Sequence, residues 1–261
     1  MLAGLAIAEA SKRYGGLVPK DHPVIKKAIA GILSGVDSGR LLKSHALYHP
    51  CLAMILLCEA DDKEYRPQII KLIKSFEERQ LSDGGFSYAG KKTWDTSQTQ
   101  YVALAYFVAR QHGLPISVDS TGRILEFVIA KQQGNSWAYS PSERDARISI
   151  HAAVSGTAYL LGDLLKLQPR LKVEKKVVAG LGPDLPPSIS VHIVTPDRSD
   201  DGASEAAWQG DGPLVKIKET NFKSCKQKAN QHFESRFVLQ PPDWSYYYPV
   251  SYTHLTLPTK A

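Results

Sequence analysis

The sequence has no long apolar run and few cysteines, and both shortages narrow the possible kinds of protein. No stretch of about 18 apolar residues occurs, so no membrane-spanning helix is predicted. Only three cysteines are present among 261 residues, and their spacing fits neither a disulfide framework nor a zinc site: Cys51, Cys58 and Cys225. With 43% hydrophobic and 22% charged residues, the composition is that of an ordinary globular chain.

The excess of positive charge is small. The formal net charge is +6, and the lysines are spread over predicted helix faces rather than gathered in one patch. We therefore expect the lysines to be solvated and expect no nucleic-acid partner. The first ten residues are apolar but lack the basic segment and the cleavage site of a signal peptide. The sequence thus leaves the cellular compartment open.

An aromatic–small–Tyr step recurs with a period near fifty residues. Its copies are separated by 51 and then 107 residues, and they are Phe86-Ser87-Tyr88, Trp137-Ala138-Tyr139 and Trp244-Ser245-Tyr246. A glutamine lies a few residues before each copy: Gln80, Gln133 and Gln240. A fixed period of this length is typical of proteins built from structural repeats.

Two kinds of helix are predicted around these steps. Segments that are apolar nearly all round, as in helices buried on every side, recur within residues 52–60, 105–109 and 158–161. Amphipathic segments lie between them, within residues 25–32, 69–76 and 124–129. Pro23 marks the start of the first amphipathic helix, and Ser120 or Thr121 is expected to cap the third. Because one helix pair cannot bury its inner helix alone, neighbouring pairs must pack side by side.

A segment rich in proline and glycine interrupts this pattern. Residues 168–214 contain a single strand-like run, at 189–194, and we expect them to form a long irregular insertion or lid. This expectation divides the chain into repeats at 1–167, the insertion at 168–214 and a further, truncated repeat at 215–248.

Both ends of the chain depart from a complete repeat domain. Residues 250–259 match, one by one, the translation of a transposon-derived sequencing adapter, so we exclude residues 249–261 from the fold prediction. Residues 2–10 resemble residues 52–60 at an offset of 50, which places Met1 inside a predicted buried helix. We therefore expect the coding sequence to be incomplete at both ends.

The segment Gln80-Leu81-Ser82-Asp83-Gly84-Gly85-Phe86 resembles the QW-type repeat of squalene and hopene cyclases and of protein prenyltransferase β subunits. Residues 133–137 and 240–244 look like degenerate copies, and the resemblance covers about residues 1–167 and 215–248. It implies an all-α fold, an α/α toroid in which six helix pairs close a barrel and inner helices line a central cavity. About four pairs are counted here, so the barrel is expected to be incomplete. The resemblance also implies a cavity for a small apolar, isoprenoid-like ligand.

The motif also has a structural role that requires no catalysis. Gln80 can bridge backbone groups of neighbouring repeats, Gly84 permits the positive φ of a tight turn, and Phe86 fills the space between helices. We interpret Gly85, Trp137 and Trp244 as structural in the same way.

The catalytic signatures of the family are missing from the sequence. The cyclases protonate an alkene with an Asp-x-Asp-Asp cluster, and no such cluster occurs. The β subunits bind zinc through Asp, Cys and His, and Gly85 occupies the position of that cysteine. Neither a metal nor another cofactor is therefore predicted. The nearest candidate acid is Asp95, a residue type that also caps helices, so whether the chain is an enzyme stays open.

The loops that enter three inner helices are expected to meet at one mouth of the cavity. If the protein is catalytic, the candidate residues are Asp95, Asp145 and His151. The candidate ligand-binding residues from the same loops are His45, Tyr48, His49, Trp94, Gln98 and Arg147. Aromatic rings with a few convergent polar groups are typical of ligand pockets. Helix caps and hydrogen bonds between repeats are the open alternative, and a non-catalytic toroid that binds a lipid, peptide or glycan is the alternative function.

Overall fold

A computed structural model describes residues 22–143, 148–167, 171–179, 188–196 and 217–236. Most of these residues are helical, which confirms the prediction of a mainly helical chain. The predicted buried helix at residues 2–10, the third aromatic step at Trp244 and the adapter-like residues 249–261 lie outside the described residues.

Seven helices and four strands occur within these ranges. The helices are α1 (Pro23–Asp37), α2 (Tyr48–Asp61), α3 (Arg66–Arg79), α4 (Thr96–Gln111), α5 (Val118–Ala130), α6 (Ile148–Leu164) and α7 (Glu219–Arg236). The strands are β1 (Gln132–Gln133), β2 (Ser136–Trp137), β3 (Leu171–Ala179) and β4 (Ser188–Pro196).

Helices α1, α3 and α5 are amphipathic, as their sequence patterns predict. In α1, Ile25, Ile29 and Ile32 are buried, whereas the lysines between them are exposed. The predicted start at Pro23 is confirmed: the ring of His22 accepts a hydrogen bond from the backbone N–H of Val24. An apolar stripe at this spacing buries one side of a helix and leaves the other in water, so these three helices form an outer layer.

The start of α5 differs from the predicted one. Ser117, rather than Ser120 or Thr121, caps this helix, and its hydroxyl oxygen accepts a hydrogen bond of 3.0 Å from the N–H of Ser120. All three residues are of the capping type. Ser117 takes the role because it is the last residue with extended backbone, at ψ 120°, before the helical turn begins.

Helices α2, α4 and α6 form an inner row, and this arrangement confirms the prediction that neighbouring pairs pack side by side. In α2, residues 53–58 are buried without interruption, as predicted for a helix covered on every side. Helix α2 packs against α4, and α4 packs against α6. Each inner helix also contacts the outer helix that follows it, and α7 packs on α6 and α5.

The segment between α6 and α7 contains a hairpin that the sequence analysis missed. Strands β3 and β4 are antiparallel, with Leu171 opposite Pro196 and Ala179 opposite Ser188. The strand-like run at 189–194 is confirmed within β4, but the prediction of an irregular insertion is wrong for residues 171–179 and 188–196. Lysines within β3 lower its preference for strand conformation, so its composition alone does not predict a strand. Pairing with β4 stabilises the extended conformation instead.

None of the helices in the described ranges combines the length and the apolar content that crossing a bilayer requires.

Candidate functional site

A chain of hydrogen-bonded side chains lies where α2 and α4 begin. The hydroxyl of Ser97 donates to Oδ1 of Asp95 over 2.5 Å, and the hydroxyl of Tyr48 lies 2.6 Å from Ser97 Oγ. The hydroxyl of Tyr88 lies 3.2 Å from that of Tyr48. These four residues, together with Tyr139, are called the hydroxyl cluster below.

Helix capping and a glutamine fix the positions of the cluster. Asp95 is the N-cap of α4, and its Oδ1 also accepts a hydrogen bond of 3.1 Å from the N–H of Gln98. This confirms the interpretation of Asp95 as a capping residue. Gln98, which is fully buried, accepts a hydrogen bond of 2.7 Å from the N–H of Leu47, the residue just before α2. This hydrogen bond, from the backbone before α2 to a side chain of α4, links the starts of the two helices.

Two copies of the repeated step bring their tyrosines to this cluster. Tyr88 and Tyr139 are the last residues of successive copies, and their hydroxyl oxygens lie 3.5 Å apart. The hydroxyl of Tyr139 is also 3.4 Å from Ser97 Oγ, while its carbonyl accepts a hydrogen bond from the N–H of Thr96. Equivalent tyrosines of neighbouring repeats thus lie together beside the first turn of α4.

Burial keeps the tyrosine hydroxyls protonated. It raises the pKa of Tyr48 and the pKa of Tyr139 well above the ordinary value for a phenol, and the hydrogen bond with Ser97 opposes this rise only partly in each case. Tyr48 and Tyr139 therefore stay protonated at physiological pH, and the Asp95 carboxyl lies at the inner end of the cluster.

An apolar face extends from the cluster along α2 and α4. Tyr101, Leu104 and Val108 are half-buried and recur at a spacing that places them on the same side of α4 as Ser97. On α2, Leu52 lies one turn beyond Tyr48 and is also half-buried. The rings of Tyr48 and Tyr101 are in edge contact, with centroids 4.8 Å apart, so the two helix faces adjoin. We call Leu52, Tyr101, Leu104 and Val108 the apolar face.

His45 belongs to this region, whereas His49 points elsewhere. The ring of His45 lies against that of Tyr88, with centroids 5.2 Å apart. His49 is exposed, and its Nδ1 lies 3.3 Å from the hydroxyl of Ser44. It borders a separate groove of about 570 Å³ along α1, so the two histidine rings lie in different surroundings.

The ring contacts of Trp94 and His151 are with residues that do not belong to the hydroxyl cluster. Trp94 packs edge-on against Phe127 of α5, and the ammonium of Lys131 lies 5.3 Å from its ring centroid. His151 is fully buried, and its ring meets that of Trp137 edge-on at 5.8 Å. Asp145 and Arg147, the remaining candidate residues, lie outside the described residues.

Groups of three or more His, Cys, Asp or Glu side chains able to hold a metal ion are not found in the part of the chain that the structure describes. The described cysteines are buried, and burial raises the pKa of the Cys58 and Cys225 thiols to about 12, which keeps both protonated.

Tyr88, Tyr139, Tyr101 and Ser97 are site residues that the sequence pattern did not predict. A signal for the first two was present, because they are the equivalent third residues of the repeated step. Residues at equivalent positions of adjacent repeats stack beside one another, so a repeated tyrosine predicts a row of tyrosines. Tyr101 carries no comparable signal, since it lies within an apolar helix.

Comparisons of the chain with protein-family models, with curated proteins and with solved structures found no match. The chain is therefore described by its own architecture: a mainly helical protein with an inner and an outer helix layer.

Proposed function

We propose that this chain is part of a repeat protein of the terpenoid cyclase and prenyltransferase type that binds a small amphipathic molecule across α2 and α4. The apolar, isoprenoid-like portion of the ligand lies on the apolar face, and its polar end reaches the hydroxyl cluster. The observation that carries the proposal is the continuity of these two surfaces, which meet where the ring of Tyr48 contacts that of Tyr101.

The make-up of this surface supports a ligand site rather than a bare packing surface. Ligand sites are mostly apolar, with a small number of polar groups that fix the orientation of the ligand. The apolar face supplies the first part, and the hydroxyls of Tyr48, Tyr88 and Ser97 supply the second. All four residues of the apolar face remain half-buried although they belong to inner helices, so each keeps surface that a ligand can cover.

Closure of the helix layers into a toroid is part of the proposal. The row formed by α2, α4 and α6, with α1, α3 and α5 outside it, has the order of layers that an α/α toroid requires. The repeat period and the Gln80-to-Phe86 motif support the same architecture. In a closed ring the half-buried side of the inner row would line the central cavity.

Binding without catalysis is the function that the geometry favours over an enzymatic one. An acid catalyst must touch its substrate, and Asp95 is only 4% exposed while its Oδ1 already accepts two hydrogen bonds. His151, the other described catalytic candidate, is fully buried. An enzyme would therefore have to open the start of α4 before Asp95 could reach an alkene.

Displacement of the neutral dye N-phenyl-1-naphthylamine by dodecanol tests the proposal. We expect saturable binding of the dye to the full chain, and weakening of about tenfold in the variant Tyr101→Ala, because the ring forms the centre of the surface. Tyr65→Ala is the matched control: Tyr65 is another half-buried tyrosine, located at the start of α3, and it is not part of the apolar face.

Circular dichroism of both variants separates loss of binding from loss of fold. Equal affinity in the two variants, or the absence of saturable binding to the unmodified chain, contradicts the proposed site. Turnover of an isoprenoid substrate that is lost in Asp95→Asn would instead favour the enzyme.

A further inference from the structure

The direction of each hydrogen bond in the hydroxyl cluster can be assigned by counting protons. A hydroxyl group has one proton to donate and two lone pairs that accept. Oδ1 of Asp95 is used only as an acceptor, since it receives the proton of Ser97 and the N–H of Gln98. Ser97 therefore has no proton left for Tyr48, although the two oxygens lie 2.6 Å apart.

The two tyrosine hydroxyls beyond Ser97 have their protons fixed in the same way. Tyr48 must donate its proton to Ser97, so at the 3.2 Å contact between the tyrosines Tyr88 donates to Tyr48. The protons of Ser97, Tyr48 and Tyr88 thus point inward to Asp95, and their oxygens turn lone pairs outward. Tyr88 is the outermost member of this sequence and is half-buried beside the ring of His45. The hydroxyl of Tyr139, 3.5 Å from that of Tyr88 and 3.4 Å from Ser97 Oγ, meets oxygens that have already used their protons. A ligand that arrives at the outer end meets a hydrogen-bond acceptor.

Two further features maintain this polarity. Burial raises the pKa of Tyr48 and of Tyr139 further above that of an ordinary phenol, so both keep the protons that they donate. The carboxyl group at the inner end caps α4, and the bond from the N–H of Gln98 holds its Oδ1 as an acceptor, which fixes the starting point of the sequence.

We propose that the polar end of the ligand is a hydrogen-bond donor with a positive charge, a protonated amine, which binds to the outward lone pairs of the cluster. A carboxylate or phosphate presents only lone pairs, so at this end it would face acceptors and the Asp95 carboxyl group without a proton to share. An ammonium group supplies three protons, and its charge strengthens each bond that it donates. This inference rests on the proposed function, since it assigns the chemistry of one end of that site.

Three molecules with the same tail and different ends test the inference. Dodecylammonium, dodecanol and dodecanoate are each used, below their micelle concentrations, to displace N-phenyl-1-naphthylamine from the full chain at pH 7. We expect dodecylammonium to bind about tenfold more tightly than dodecanoate, with dodecanol between them. Tyr88→Phe removes the outermost oxygen and should lower the affinity for dodecylammonium severalfold, with little change for the dye.

Asp95→Asn tests what the carboxylate at the inner end contributes. Asparagine caps helices as well as aspartate does, so the fold is retained and Oδ1 still accepts from Gln98 and Ser97, while the amide removes the charge. The preference for dodecylammonium over dodecanoate should fall to about twofold or less in this variant. Circular dichroism confirms that α4 is intact.

The possible results separate the two proposals. Equal binding of the three molecules, or tighter binding of dodecanoate, overturns the assignment of the polar end and leaves the site standing. An amine preference that persists in both Asp95→Asn and Tyr88→Phe also overturns it, because the preference then has an origin outside the cluster. If none of the molecules displaces the dye, the proposed function fails and this inference fails with it.

Discussion

Two copies of the repeated step, one ending at Tyr88 and the other at Tyr139, both bury their aromatic ring but use different side-chain hydrogen bonds. Their aromatic residues, Phe86 and Trp137, are both almost fully buried. In the first copy the side-chain amide of Gln80 donates 2.9 Å hydrogen bonds to the carbonyls of Gly84 and Ser120, the latter in the neighbouring α5. In the second copy the indole N–H of Trp137 donates to the carbonyl of Val128 in α5, over 2.7 Å.

The backbones of the two copies differ as well. A Cβ atom at Gly84 would lie 2.1 Å from the carbonyl oxygen of Arg123, so the first loop is in direct backbone contact with α5. Gly134, in the turn between β1 and β2, has open space around it. A degenerate repeat can therefore keep its buried ring while its side-chain hydrogen bond changes in donor and in target: Gln80 reaches the helix that follows its copy, whereas Trp137 reaches back to the helix that precedes its own.

The largest effect is expected for Gly84→Ala. Gly84 has φ +88°, which strains any other residue, and the new Cβ would collide with a backbone atom that cannot move aside. We expect a loss of about 3 kcal/mol or more in the free energy of unfolding, measured by urea denaturation.

Gly134→Ala is the control for this variant. Gly134 also has positive φ, at +61°, but no neighbouring atom stands in the way of a Cβ. Its cost should be limited to the backbone conformation, about 1 kcal/mol. Equal costs for the two variants would show that the first loop is not in tight contact with α5.

A smaller effect is expected for Trp137→Phe. The ring is largely retained, but the carbonyl of Val128 loses the hydrogen bond from the indole inside the core. We expect a loss of about 2 kcal/mol in the free energy of unfolding, because a buried polar group is left unsatisfied.

Trp94→Phe provides the comparison, since Trp94 is half-buried and makes ring contacts with Phe127 and Lys131. Its cost should stay below about 1 kcal/mol. If the two tryptophan variants lose the same stability, the indole bond is not what holds the second copy.

The smallest effect is expected for Gln80→Ala. Removal of the amide breaks two hydrogen bonds, to the carbonyls of Gly84 and Ser120, and both bonds are only partly shielded, so water can replace them in part. We expect a loss of about 1 kcal/mol, whereas Gln133→Ala at the exposed glutamine of the second copy should stay within about 0.5 kcal/mol. A cost at Gln133 equal to that at Gln80 would show that the second copy also depends on its glutamine, and would contradict the replacement of that bond by the bond of Trp137.

Most of the helical fold could be predicted from the sequence. The alternation of amphipathic and fully apolar segments assigns α1 to α6 to an outer and an inner layer, because the width of the apolar stripe reflects how much of a helix is covered. The roles of Gln80, Gly84 and Phe86 also follow from residue type, and the structure confirms all three: the amide bridges two repeats, the glycine has positive φ and the ring is fully buried. Strand β3 and the cap at Ser117 could not be found, since pairing and backbone conformation select them.

The candidate site was predicted only in part. Tyr48, Asp95 and Gln98 meet as the analysis expected, with His45 beside them, because they occupy the starts of adjacent inner helices. His49 and Trp94 come from the same loops but turn to other neighbours. Sequence position places a residue near a site, whereas the direction of its side chain depends on the packing of the helix beside it.

The repeat period, the two kinds of helix and the residues of the tight turn follow from the sequence, since each depends on properties of local residues such as hydrophobic spacing and the freedom of glycine. The joining of Tyr88 and Tyr139, 51 residues apart, with Ser97 and Asp95 in one hydrogen-bonded cluster depends on tertiary packing. A hydrogen bond between two hydroxyl groups forms only when their oxygens are placed at the right distance to within a few tenths of an ångström. Such contact arises only when neighbouring repeats have packed.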